Sequence, residues 1–144
     1  METTTIAQAP KVVYTAKTHT VGGREHGVAK SSDGILDIKL STPGTGGIGT
    51  NPEQLFAAGW SACFEGALGI VANKMRVKLP EETAIDAEVD LAADKTGFFL
   101  QARLNISLPG LDRETAQQLV NGAQNTCPYS KAIKGNVNVE YNLV

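Results

Sequence analysis

Cysteine and histidine are scarce in this chain of 144 residues. It holds two cysteines, Cys63 and Cys127, and two histidines, His19 and His26. No C-x-x-C spacing occurs, which excludes a thioredoxin-type dithiol. The scattered cysteines and histidines have no zinc-like spacing, so no metal and no bound cofactor is expected. A strong charge of one sign is also missing. The formal net charge is −2 and there is no basic run, so nucleic acid is not an expected partner. Met1-Glu2-Thr3-Thr4-Thr5 has no positive stretch and no apolar core, which argues against a secretory leader and makes the cytoplasm the default location. There a lasting structural disulfide is unusual, whereas a transient catalytic one is not. One long apolar run stands out, Leu55 to Ala72, interrupted only by Glu65. It is rich in Gly and Ala and poor in apolar bulk, which fits a helix inside a protein core better than a bilayer span, and no membrane is expected as a partner.

The length fits a single domain over residues 1–144, with the first ten residues, rich in Thr and Ala, forming a frayed tail. Lys11 to Thr20 reads as a strand. Gly22-Gly23 and Ser32-Asp33-Gly34 read as turns, the second suited to a tight hairpin. Leu36, Ile38 and Leu40 alternate with Asp37 and Lys39, as on a half-buried strand. A glycine-rich loop, Ser41 to Thr50, lacks any phosphate-binding spacing. Asn51-Pro52-Glu53-Gln54 is a strong helix start, with a cap at Asn51 and proline at the first helical position. That helix can run to about Arg76. Small residues line it all round, which predicts a central helix enclosed by other elements. Two alternating stretches, Ile85 to Leu91 and Phe98 to Leu108, predict a strand pair turning at Asp94 to Gly97. Asp112 then caps a helix carrying Ala116, Leu119, Val120 and Ala123 at helical spacing. Pro128 opens a short helix that stops at Gly135, and Val137, Val139, Tyr141 and Leu143 form a last strand. The order, β-β-α-β-β-α-α-β, belongs to the α+β class.

The chemistry rests on few residues, and each has a plain structural reading beside a functional one. Cys63 shares a helix face with Phe56, Gly59, Trp60, Gly66, Ala67 and Ile70. It is either a small buried hydrophobe or a reactive thiol, and burial raises a thiol pKa, so reactivity needs a nearby cation. Cys127 precedes Pro128, about where a helix N-cap belongs, and local dipole reasoning makes it the more acidic thiol of the two. Arg24 follows the Gly22-Gly23 turn and is either a solvated loop arginine or the needed cation. Glu53 lies in the first turn of the long helix, where a carboxylate is favourable in any case. Ten residues of helix separate Glu53 from Cys63 by ~15 Å, so either a long arginine reaches between them or a second subunit supplies one of the groups, and any scheme using all three residues needs Arg24 as the bridge. A Cys–His hydrolase lacks a nucleophile motif around either thiol.

The motifs Gly22-Gly23-Arg24, Ser31-Ser32-Asp33-Gly34-Ile35-Leu36-Asp37, Thr50 through Phe64 and Cys127-Pro128-Tyr129-Ser130-Lys131-Ala132 together make the chain, from about Lys11 to its end, resemble the organic hydroperoxide resistance proteins of the OsmC/Ohr superfamily. The resemblance implies an α+β fold with antiparallel sheets around a long central helix, in an intertwined homodimer. It implies a thiol peroxidase in which Cys63 attacks an organic hydroperoxide and becomes a sulfenic acid. Cys127 would then condense with it to an intramolecular disulfide. Arg24 would stabilise the thiolate and polarise the peroxide, and Glu53 would hold Arg24 by an ion pair. The expected reductant is an external dithiol, a dihydrolipoyl group on a lipoylated protein. Phe56 and Trp60, with Phe98 or Phe99, would line an apolar pocket favouring fatty-acyl or aryl hydroperoxides. Other readings are an OsmC-type peroxidase of broader specificity, and a non-catalytic redox sensor or lipophilic-ligand binder using the same pocket.

Overall fold

The computed structural model describes residues 9–144, in two compact units, the first ending at Asn51 and the second running from Pro52 to Val144. Of the expected N-terminal tail, residues 1–8 lie outside the described residues, and residues 9 and 10 have no regular structure.

In the first unit, β1 (Thr18–Val21) leads into a single helical turn, α1 (Gly23–His26), and then into β2 (Val28–Ser31) and β3 (Asp37–Lys39). The three strands form an antiparallel sheet in the order β1-β2-β3. The strand expected over Lys11 to Thr20 is confined to its last residues, and Val12, Val13 and Tyr14 are exposed. β-Branched composition favours a strand only where a neighbouring strand takes up the backbone groups, and β2 reaches only the end of this stretch, from Thr18 on, with the Lys17 carbonyl accepting from the Ser32 amide. Both α1 and β2 were missed, because four-residue elements carry too little periodicity. Gly22 and Gly23 take left-handed φ values of 82° and 72°, which turn the chain sharply. A Cβ at Gly27 would strike the Val21 and Gly23 carbonyl oxygens, so glycine is required where α1 returns to β2. The Ser32-Asp33-Gly34 turn is a wider loop than a two-residue hairpin. The Ser31 amide donates to the Leu36 carbonyl at 2.8 Å, and the Asp33 carboxylate accepts from the Ser31 hydroxyl and the Ile35 amide.

The second unit opens with α2 (Pro52–Met75), starting on the expected proline. Its end is a Schellman arrangement. The Val77 amide donates to the Ala72 carbonyl at 2.9 Å and the Arg76 amide to the Asn73 carbonyl at 3.2 Å, with Arg76 left-handed at φ 56°. β4 (Ala84–Asp94) and β5 (Gly97–Ser107) pair antiparallel in the expected hairpin. Helix α3 (Arg113–Thr126) is capped by the Asp112 carboxylate, which accepts from the Thr115 amide at 3.0 Å. A six-residue helix, α4 (Pro128–Ile133), follows, and β6 (Asn138–Leu143) lies parallel to β5, so this second sheet is mixed rather than purely antiparallel.

The core of this unit joins one face of α2 (Trp60, Phe64, Ala67, Leu68, Ala72) to Ala102, Leu104 and Ile106 of β5 and to Ala116, Leu119, Val120 and Ala123 of α3. The four α3 positions are those expected from helical spacing. Enclosure of α2 is one-sided, however. Ala58, Ala62, Gly66 and Ile70 are exposed, because α3, α4 and β4 pack against the other face. The apolar alternation also fails at the hairpin tip, where Leu91 and Phe98 are exposed and no described residue covers them.

Gly122 sets how closely α3 approaches α2. A Cβ there would lie 2.7 Å from Val71 Cγ1, and the β-branched valine has little rotamer freedom to move away. Gly122→Ala gains ~1 kcal/mol of helix propensity but overpacks the contact by about 1–3 kcal/mol. The expected result is a net loss of stability of about 1 kcal/mol, read as a lower urea midpoint. Unchanged or increased stability would show that the two helices can separate freely.

Candidate active site

Cys63 sits in the fourth turn of α2, and Cys127 is the single residue between α3 and α4. A residue preceding proline is pushed out of the helical region, and Cys127 is extended at φ −67°, ψ 120°. Its amide nevertheless donates to the Ala123 carbonyl at 2.8 Å, and its carbonyl accepts from the Lys131 amide at 3.0 Å. The bend turns its side chain onto α2, where the Cys127 thiol lies 3.3 Å from the Cys63 sulfur. Both cysteines are free; Cys63 is partly exposed and Cys127 is fully buried. A disulfide bond is ~2.05 Å long, so the sulfurs need to close by only about 1.2 Å to bond.

The junction between α3 and α4 aims its groups at two different targets. The Cys127 side chain makes no capping hydrogen bond to the first turn of α4. Instead the Tyr129 amide of that turn donates toward Cys63 and favours its thiolate. Burial is the larger influence and pushes the Cys63 thiol above its ordinary range, with the neighbouring Cys127 sulfur adding to the rise. Helix position alone does not reveal this, because a bent junction aims its backbone amide and its side chain at different targets.

Around the pair lies an aromatic cluster tied by one hydroxyl. Phe56 meets Trp60 edge-on at 5.6 Å and Tyr129 edge-on at 6.0 Å. Gly59 makes room for the Tyr129 ring, since a Cβ there would lie 2.9 Å from the phenolic oxygen. The buried Trp60 Nε1–H donates to Ser130 Oγ at 3.0 Å, and the Tyr141 hydroxyl donates to the same oxygen at 3.1 Å. Burial raises the Tyr141 pKa, which keeps its phenol protonated as a donor. A hollow of about 270 Å³ lies beside Ser130 and Tyr141, bounded also by Ile133, Lys134 and Val139, and neither cysteine borders it.

Residues 44–142 match the model of the OsmC-like protein family. An organic hydroperoxide resistance protein of Xanthomonas axonopodis pv. citri is 49% identical over 142 residues, covering 96% of this chain and 99% of that protein. OhrB, an organic hydroperoxide resistance protein of Bacillus subtilis, is 46% identical over 136 residues, 91% of this chain and 98% of its own. The crystal structure of OhrB superposes with a TM-score of 0.87 at 44% identity, covering 92% of this chain and 100% of that one. The chain belongs to the OsmC family, among its organic hydroperoxide resistance proteins.

Within this OsmC-family chain the structure brings Cys63, Cys127, Phe56 and Trp60 into one core cluster. Phe98 and Phe99 lie outside it, on β5 beside the hairpin turn opposite Ala93 and Ala92, with Phe98 80% exposed. Glu53 lies in the first turn of α2, and Arg24 in α1 of the first unit. Tyr129, Ser130 and Tyr141 were not singled out by the sequence reading. Their signal lay in the residues following Cys127-Pro128 and in the inward alternation of the last strand.

Ser130 is the shared acceptor of two donors from the core. Ser130→Ala strands the Trp60 N–H and the Tyr141 O–H and is expected to cost about 1–3 kcal/mol, whereas Ser130→Thr retains the oxygen and most of the stability. Urea denaturation of both variants checks this, and an alanine variant as stable as the parent would show that the hydroxyl is dispensable.

Proposed function

We propose that this chain is a thiol peroxidase that reduces organic hydroperoxides to alcohols. The observation that carries the reading is the approach of two free cysteine sulfurs to 3.3 Å, one partly exposed and one buried. In the proposed cycle the Cys63 thiolate attacks the terminal peroxide oxygen. The O–O bond breaks, the alkoxide leaves and takes up a proton as alcohol, and Cys63 becomes a sulfenic acid. The Cys127 sulfur then attacks the Cys63 sulfur, the S–S bond forms and water departs. An external dithiol returns two electrons; the family likeness supports a dihydrolipoyl group on a lipoylated protein in that part.

Burial works against the attacking thiolate, and the Tyr129 amide offsets it only in part. The proposal therefore gives Arg24 the part of the cation that stabilises the thiolate, and Glu53 the part of the carboxylate that holds it. The likeness to the family supports both roles. The apolar surroundings of Cys63, from Phe56 and Trp60, favour fatty-acyl or aryl hydroperoxides, without a part for Phe98 and Phe99, which lie at the hairpin tip. The exposed Val12, Val13, Tyr14 and Phe98 support a homodimer, in which a second copy would cover apolar surface left bare here. Near-complete coverage by relatives supports a single OsmC domain, and the cytoplasm is its proposed location.

Cys63→Ser is expected to reduce dithiol-dependent consumption of cumene hydroperoxide to background, while Cys127→Ser consumes one equivalent of peroxide and then stalls in the absence of a thiol able to reduce the sulfenic acid. Undiminished turnover by the Cys63 variant would sink the assignment. Arg24→Ala is expected to raise the Cys63 pKa, and each unit of rise leaves ~10-fold less thiolate at neutral pH. Its rate of peroxide attack should therefore fall by about tenfold or more at pH 7 and recover as pH rises, whereas the parent rate levels off at lower pH. Superimposable pH–rate profiles would remove Arg24 from the mechanism.

A further inference from the structure

The two sulfurs differ in access as well as in position, and this sets the direction of the reductive half of the cycle. Cys127 is fully buried within the second unit, packed in a cluster with Trp60, Phe64, Leu119 and Ala123, all from that same unit. Cys63 belongs to the edge of that cluster and is partly exposed. Bonding the sulfurs requires a shift of only about 1.2 Å, so forming the disulfide does not require the α3–α4 junction to open. Cys127 therefore stays covered in the oxidised protein. A second copy of the chain could reduce access to Cys63, but it would leave Cys127 as buried as before.

Resting on the peroxidase reading above, we propose that the reducing thiol always bonds to Cys63 and that Cys127 is always the leaving sulfur. Thiol–disulfide exchange proceeds by attack of a thiolate on one sulfur in line with the bond to the other. Of the two cysteines only Cys63 is exposed to solvent at all. In the first exchange one sulfur of a dithiol, as thiolate, bonds to Cys63, the Cys63–Cys127 bond breaks, and the electron pair leaves on Cys127. The second thiol of the reductant gives its proton to Cys127 and, as thiolate, attacks the sulfur already bound to Cys63. A cyclic disulfide departs, leaving Cys63 as thiolate and Cys127 as thiol, so atoms, charge and two electrons balance. Cys127, held close by the junction, also competes to expel the entering thiol from Cys63. A dithiol escapes this reversal because its own second sulfur is equally close, an advantage of proximity over a second collision.

Two measurements on the full chain test this. In the first, the Cys63–Cys127 disulfide is made with diamide rather than peroxide and confirmed by the loss of two free thiols. It is then mixed with excess of a biotin-tagged monothiol, quenched in acid within tens of milliseconds and digested with pepsin at low pH to freeze exchange. The tag is expected on the Cys63 peptide in about tenfold or greater excess over the Cys127 peptide. A tag on Cys127, or spread evenly, overturns the proposal. In the second, folded Cys127→Ser is expected to react with 4,4′-dithiodipyridine about a hundredfold faster than folded Cys63→Ser. Equal rates, or a faster Cys63→Ser, overturn it, and guanidinium should abolish the difference because unfolding exposes both sulfurs. Because neither measurement uses peroxide, failure of the peroxidase reading has its own signature. Both tests would favour Cys63 while cumene hydroperoxide left the two thiols intact.

Discussion

Everything proposed for this site depends on one contact, the approach of Cys127 to Cys63 across the packing of α2 against α3 and α4. The sulfurs are 64 residues apart in the chain, so no local rule brings them together. Two glycines permit the approach. Gly122 lets α3 lie against Val71, and Gly59 lets the Tyr129 ring lie on α2 beside Cys63's turn. The interior is close-packed, so a methyl group at Gly122 is felt in the helix spacing, whereas one at Gly59 meets the hydroxyl end of the exposed Tyr129 side chain. The small residue at Gly122 of α3 thus bears on the chemistry through distance.

The same packing creates an electrostatic conflict. A dry setting around Cys63 suits an apolar peroxide but penalises the thiolate that must attack it. The chain answers in part with a fixed dipole, the Tyr129 amide, whose position is secured through the next residue. Ser130 is tied to Trp60 of α2 and Tyr141 of β6, so the first turn of α4 is pinned between helix and sheet. A backbone donor held this way needs no reorganisation when charge develops, which is the general advantage of preorganised polar groups. The remaining penalty is what gives a cationic side chain its place in the proposed mechanism.

Much of this was legible in the sequence wherever a pattern repeated. The α3 core positions, the long hairpin, the Asp112 cap and the Pro52 helix start all follow from periodicity or capping chemistry that local sequence encodes. Misreadings came where tertiary context decides. The stretch from Lys11 has strand composition throughout but meets a partner strand only from Thr18 on, and Leu91 and Phe98 alternate correctly but extend past the described residues that would bury them. The parallel pairing of β6 with β5 is a crossover property that no strand announces by itself. At the site, both cysteines could be named from sequence, yet the direction of the α4 amide could not. It depends on a single pair of dihedral angles at Cys127.

Those dihedrals also explain how a thiol can be buried at a break between two helices. A non-helical residue in an apolar core normally leaves an amide or carbonyl without a partner, at a cost comparable to a lost hydrogen bond. Cys127 avoids this because it closes one helix and opens the next. Its amide completes the last turn of α3 on Ala123, and its carbonyl accepts the first bond of α4 from Lys131. Pro128 contributes by having no amide to satisfy at the first helical position, where the donor would have no helical partner. With the backbone accounted for on both sides, the only group left to accommodate is the sulfur, which is weakly polar and tolerates an apolar setting. A serine at the same bend would bring a hydroxyl that needs a partner. The junction is therefore chemically selective for a thiol, and its burial makes Cys127 reachable chiefly by way of Cys63.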